Sequence, residues 1–110
     1  MTNVLFLCGK ARKRSPTAAD IVARWPGFST DFAGLGRDAD EQVSSEHIEW
    51  ADVIVVMERR QRKRLSDRFG HLAGDTRVAV LGVPDRFEYM EQALIDLIEP
   101  RLRRILGAPA

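Results

Sequence analysis

Cys8, Arg14 and Ser15 are the residues whose types and spacing can do chemistry together. They stand in the stretch "VLFLCGKARKRSP", Val4 to Pro16, and Cys8 is the only cysteine of the chain. Five residues separate Cys8 from Arg14. A loop of that length between a strand and a helix can curl into a ring whose amide N–H groups point inward as an anion nest. The N-terminus of the following helix adds the positive end of its dipole. A tetrahedral phosphate fits such a ring. Arg14 can grip two of its oxygens with a planar fork, which a lysine cannot do. Cys8 would then lie beneath the phosphorus as a thiolate stabilised by the same positive field, with the Ser15 hydroxyl placed to donate to the sulfur. A cysteine closing a strand is by itself equally compatible with an inert buried thiol. The order strand, cysteine, glycine, cations and Ser-Pro helix start favours the anion-binding reading.

The elements that must hold these residues follow from the apolar pattern. Val4 to Leu7 is a continuous apolar run, hence a strand buried on both faces. Ser15 reads as the N-cap of a helix and Pro16 as its first residue, where a missing N–H costs nothing. Ala18, Ile21 and Val22 give that helix its apolar stripe, and Trp25-Pro26-Gly27 end it. Phe28 to Phe32 is a short strand closed by Ala33-Gly34. Ser44 to Trp50 is a short helix capped by Ser44 or Ser45. Val53 to Met57 is β-branched and apolar, hence a strand. Arg59 to Phe69 is a polar helix with Leu65 and Phe69 on one side, and Arg77 to Leu81 is a fourth strand. Leu94, Leu97, Ile98, Leu102, Ile105 and Leu106 recur at helical spacing, with Pro100 inside the pattern predicting a kink or break. Strands alternating with helices predict an α/β fold, a three-layer α/β/α sandwich on a four-stranded parallel sheet with right-handed crossovers. Ligands bind such sheets beyond the carboxyl ends of the strands, where Cys8, Glu58 and Asp85 fall.

Composition sets the frame. A chain of 110 residues, 45% apolar and 30% charged, reads as one globular domain, residues 1–110, with a modest core. No apolar run approaches the roughly 18 residues of a membrane span. "MTNVLFLC" has neither a basic flank nor a small-residue cleavage site, so no signal peptide is expected. One cysteine and two scattered histidines do not suggest a zinc site or an internal disulfide, which favours a reducing, cytoplasmic setting. His47 and His71 read as surface or helix-edge residues, and Trp25 and Trp50 as packing anchors. The net charge is +1, yet Lys10, Arg12, Lys13 and Arg14 cluster near the start, and Arg59, Arg60, Arg62, Lys63, Arg64 and Arg68 in the middle. Uneven basic surface attracts anions. The middle cluster reads best as a solvated helix face, and nothing beyond its charge points to nucleic acid.

The stretch "VLFLCGKARKRSPTAAD" resembles the signature of the low-molecular-weight protein tyrosine phosphatases, a Cys-x5-Arg-Ser loop followed by Pro-x-Ala. Cys8, Arg14, Ser15, Pro16 and Ala18 match it. "DFAGL" (Asp31 to Leu35) is similar to the family's second strand and its Ser-Ala-Gly, and "WADVIVVME" (Trp50 to Glu58) to its third strand ending in Met-Asp. The chain is shorter than is usual in that family, with less material around and after the fourth strand. The resemblance implies a cofactor-free phosphatase acting on a phosphorylated protein or small phosphomonoester. Cys8 attacks phosphorus to form a phosphocysteine, and Gly9, Lys10, Ala11, Arg12, Lys13 and Ser15 form the phosphate loop. An aspartate after the fourth strand, normally followed by proline and an aromatic, serves as acid and then base.

Here that region reads "VPDRFEY". Asp85 is the candidate acid and Glu88 the second. Asp85 can equally be a turn or N-cap aspartate. Phe87 and Tyr89 can line the entrance or simply be core. Two further departures concern the loop. Ala11 stands where the family usually has a loop-supporting asparagine, and Lys13 where it often has a second, protective cysteine. Lys10, Arg12 and Lys13 make the rim basic, which reads either as solvated side chains or as a preference for a highly charged ligand. Three other functions are compatible with the layout. The first is a non-catalytic phosphate-binding module. The second is a sugar-transport phosphocarrier, which Arg14-Ser15 argues against. The third is an arsenate reductase, of which the type needing further cysteines is excluded.

Overall fold

The computed structural model describes residues 1–74 and 76–107. The chain runs β1 (Thr2–Cys8), α1 (Arg14–Val22), β2 (Phe28–Gly34), α2 (Ser45–Trp50), β3 (Val53–Val56), α3 (Arg59–Ala73), β4 (Arg77–Val80) and α4 (Gln92–Leu106). The four strands form one parallel sheet in the order β2-β1-β3-β4. β1 pairs with both neighbours, Cys8 opposite Gly34 and Leu7 opposite Val56.

Alternation along β1 builds the two sides of the sandwich. Val4, Phe6 and Cys8 face a core shared with α1 and α4, including Ala18, Val22, Leu94, Ile98 and Leu102. Leu5 and Leu7 face the other side, with Ile54 and Val56 of β3, Ile48 of α2 and Leu65 of α3. Both faces are covered, which is why β1 and β3 are continuous apolar runs. The three-layer α/β/α sandwich on a four-stranded parallel sheet is the expected architecture. Among the described residues no helix is long and apolar enough to cross a membrane.

The strand order creates the place for a site. The chain goes from β1 outward to β2, then returns to lay β3 on the opposite side of β1. The switch therefore lies between the carboxyl ends of β1 and β3, where a crevice opens in sheets of this kind. Cys8 ends one strand and Glu58 follows the other.

Several boundaries differ from those expected. α1 begins at Arg14 with Lys13 as its N-cap, so Ser15 does not cap the helix and Pro16 is its third residue. The reason is local: the Lys13 carbonyl already accepts from Thr17 N at 3.1 Å and Thr17 Oγ1 at 2.6 Å, and the Ser15 hydroxyl faces the Cys8 sulfur. Pro16 still costs no hydrogen bond, because the first four helical N–H groups have no partner within the helix. α4 is not broken at Pro100. The residue lies on the exposed face, where water can satisfy the carbonyl four residues earlier that proline leaves unbonded. α3 continues past Phe69 to Ala73, and β2 continues to Gly34.

Candidate active site

The Cys8–Arg14 segment turns at Ala11, which adopts a left-handed backbone with φ of 61°. That conformation is uncommon for a residue with a Cβ. Here it aims the Ala11 N–H at the Cys8 sulfur, 3.2 Å away. Ser15 Oγ lies 3.0 Å from the same sulfur. Cys8 is buried, as are Ala11, Arg14 and Ser15.

The loop is braced from outside by the segment after β2. Leu35 N donates to Cys8 O at 2.9 Å, Gly36 N to Gly9 O at 2.8 Å, and Asp40 N to Lys10 O at 3.0 Å. These bonds occupy three successive carbonyls of the loop. Among the described residues, the amides of Gly9, Lys10, Arg12, Lys13 and Arg14 have no acceptor, the supply of donors an anion nest needs. The bracing demands glycine. A Cβ on Gly34 would stand 2.8 Å from Gly9 O and 2.5 Å from Ala39 Cβ, and one on Gly36 would stand 2.8 Å from Gly9 O.

Arg14 is almost wholly buried, and its guanidinium is anchored at one end. Nη1 donates to Glu58 Oε1 at 2.5 Å and to Val83 O at 2.8 Å. Nε lies 3.7 Å from Asp85 Oδ1. Glu58 also accepts from Arg60 Nε at 2.8 Å. The turn that presents Glu58 is pinned by buried Gln61, whose Oε1 accepts from the backbone N–H of Met57 at 3.0 Å and of Glu58 at 2.9 Å. Burial pushes the Glu58 carboxyl up, but the hydrogen bonds and charges of Arg14 and Arg60 outweigh it, and the group titrates below the ordinary glutamate range.

Cys8, Lys10, Arg12, Lys13, Arg14 and Asp85 together line a cavity of about 170 Å³. The structure thus brings the sequence-predicted cysteine, arginine and aspartate to one place. The three rim cations neither hang free in solvent nor present unpaired charge. Lys10 pairs with Asp38 at 3.5 Å, Arg12 with Asp40 at 3.0 Å and Lys13 with Glu88 at 3.1 Å. Glu88 is thereby engaged with Lys13 and does not line the cavity, whereas Asp85 does. No group of three or more His, Cys, Asp or Glu side chains that could hold a metal ion occurs among the described residues.

The aromatics separate. Phe87 is buried in the core with α1 and α4. Tyr89 is half exposed, and its hydroxyl donates to Asp20, which raises the phenol above its ordinary range. Tyr89 lines a second recess of about 490 Å³ with Ala11, Arg12, Pro16, Asp20, Phe32 and Asp40.

The fold recurs in solved structures. The chain superposes with a TM-score of 0.77 on Vibrio vulnificus Wzb in complex with benzylphosphonate, at 18% identity, covering 94% of this chain and 96% of that one. It superposes with a TM-score of 0.75 on SP-PTP, a low molecular weight protein tyrosine phosphatase from Streptococcus pyogenes, at 17% identity over 96% and 93% of the two chains. This is the low-molecular-weight protein tyrosine phosphatase fold. The YwlE arginine phosphatase from Geobacillus stearothermophilus is also similar, with a TM-score of 0.71 and 20% identity over 96% and 93%. No protein-family model and no curated protein matches the sequence.

Within this low-molecular-weight phosphatase fold, sequence reasoning placed Glu58 at a strand end but gave it no role, and it missed Gln61, Gly34 and Gly36. Only the glycine pair left a trace, one glycine closing a strand and another two positions on. Glu58 and Gln61 become visible only once β3 is known to lie beside β1.

Proposed function

We propose that the protein is a cysteine-dependent phosphomonoester hydrolase of the protein tyrosine phosphatase type, acting on a phosphorylated protein or a small phosphomonoester. One observation carries the reading: the Cys8 sulfur, contacted by Ala11 N and Ser15 Oγ, opens into a phosphate-sized cavity that Arg14 and Asp85 also line.

The reaction has two steps. The Cys8 thiolate attacks phosphorus, and the sulfur–phosphorus bond forms as the bond to the leaving oxygen breaks. Asp85, protonated, gives its proton to that oxygen. Water then attacks the phosphocysteine, Asp85 takes the water's proton, and phosphate leaves with the thiolate restored. Arg14 acts as the oxyanion clamp. Nη1 is committed to Glu58 and Val83, which leaves the Nε–Nη2 edge for two phosphate oxygens, the bidentate geometry in which arginine binds best. The amides of Gly9, Lys10, Arg12, Lys13 and Arg14 complete the cradle. Glu58 is a positioning residue, because it acts through Arg14. The lone thiol of Cys8 fits a reducing, cytoplasmic setting.

The test is hydrolysis of p-nitrophenyl phosphate by wild type and Cys8→Ser side by side. Wild-type turnover that is lost in the variant is expected. Turnover that survives the substitution contradicts the mechanism. A second reading, a phosphate-binding module without turnover, rests on the exposure of Asp85, whose side chain is 65% accessible. It predicts binding of phosphate or vanadate with no hydrolysis by wild type.

A further inference from the structure

The basic cluster of α3 takes no part in the cavity at Cys8, yet two of its arginines converge. Arg64 Nη2 donates at 3.0 Å, and Arg68 Nη1 at 2.9 Å, to one acceptor, the carbonyl oxygen of Leu35. The two guanidinium nitrogens therefore lie within about 6 Å of each other, a separation at which like charges repel unless an anion answers them. Arg68 is further immobilised over the ring of Phe69, 5.1 Å from its centroid. Arg37 also lines the recess of about 470 Å³ that they border, with Leu35, Gly36 and Gln42.

What sets the pair apart is its convergence on one acceptor with no carboxylate paired to it among the described residues. The rim cations Lys10, Arg12 and Lys13 each face a carboxylate, and on α3 itself Lys63 faces Asp67 at 3.3 Å. No ion pair among the described residues involves Arg37, Arg64 or Arg68. Two forked donors oriented by a common carbonyl, beside a third arginine in the lining, suit the oxygens of a tetrahedral dianion.

We propose that the recess formed by Arg37, Arg64 and Arg68 is a second anion site, which binds a phosphate dianion, either free or at the end of a small phosphorylated molecule. The residues lining it are not shared with the cavity at Cys8. The two sites meet through backbone, because Leu35 and Gly36 line this recess while their N–H groups bond to Cys8 and Gly9. The inference does not depend on turnover at Cys8.

The experiment titrates the isotopically labelled full chain with inorganic phosphate at constant ionic strength, following the arginine Nε resonances of Arg64 and Arg68 and, separately, the amides of Lys10 and Arg12. The Nε resonances are expected to shift and saturate on an isotherm of their own. Arg64→Gln with Arg68→Gln, followed at the backbone amides of Arg37 and Gln42 that line the recess, weakens binding there by about tenfold or more, while Lys10 and Arg12 still titrate. Arg37→Gln, which removes a guanidinium with no hydrogen bond to the fold among the described residues, weakens it too and covers the case in which the double variant does not fold. A second arm compares phosphate with glycerol 3-phosphate on Cys8→Ser. Tighter binding of the ester assigns the site to a small phosphorylated molecule, and tighter binding of phosphate assigns it to the free ion. Nε resonances that stay still at phosphate saturating the Cys8 cavity, or that move equally with chloride, overturn the proposal. Titration at the recess with none at Lys10 and Arg12 leaves it standing and removes the cradle instead.

Discussion

The Cys8–Ser15 segment and the Leu81–Glu91 segment face each other across one cavity, and they are built differently. In the first, Cys8, Ala11, Arg14 and Ser15 are buried, the sulfur has two polar contacts, and three successive carbonyls are bonded to the loop after β2. In the second, the acidic side chains stand in solvent, Asp85 65% and Glu88 76% accessible. That segment is anchored mainly by what it buries, Leu81, Val83 and Phe87. On the proposed reading, the grip on an anion belongs to the core of the fold, and the proton donor to a loop hung between apolar anchors. The proposed function then makes anion binding and turnover separable.

That separation can be broken most forcefully at Asp85. Asp85→Ala is expected to lower turnover of phenyl phosphate by about 100-fold, and turnover of p-nitrophenyl phosphate by less, because a good leaving group needs little protonation. Phosphate affinity is expected to hold. Activity equal to wild type on both substrates would move the acid to Glu88 or elsewhere.

Glu58 tests the buried side. Glu58→Gln keeps the shape but removes the charge behind Arg14, and is expected to cost about 1–3 kcal/mol of stability, with a matching loss of phosphate affinity that Glu58→Asp partly restores. The pH dependence has a definite sign. The folded carboxyl titrates below its ordinary value of 4.5, so its contribution to stability is present above that value and is lost as the pH falls through the lower, folded one. Denaturation followed downward from pH 5 should show this loss in wild type and its absence in Glu58→Gln. Identical profiles would remove Glu58 from the account.

Ala11 has the smallest expected effect. Ala11→Gly relieves a left-handed alanine, worth about 1 kcal/mol, against a larger unfolded-state entropy. A net gain of about half a kcal/mol in chemical denaturation is expected. A loss of about 1 kcal/mol, as in a helix interior, would show that the loop does not strain at that residue.

What could be read from sequence tracks how local the physics is. The strand, the cysteine, the spacing to Arg14 and the helix after it all fall within a single stretch, so their pattern carries the site. The helix start was misplaced by two residues for an equally local reason: the serine that suits a cap is occupied by the cysteine sulfur. Glu58 sits 44 residues from Arg14 and Glu88 sits 75 from Lys13, and no local pattern announces either partner. The strand order β2-β1-β3-β4 creates the first pairing. The rim cations looked like free basic surface because the carboxylates that meet them, Asp38, Asp40 and Glu88, lie on segments whose approach only the fold reveals.

The central claim is that Cys8 takes the phosphoryl group onto its sulfur, and mass spectrometry of an alkaline-quenched reaction tests it most directly. Wild type mixed with excess p-nitrophenyl phosphate and quenched within the first turnover should carry one phosphoryl group, located on the Cys8 peptide, with more of it accumulating in Asp85→Ala. Turnover with no adduct on Cys8, or with the adduct on another residue, would contradict it.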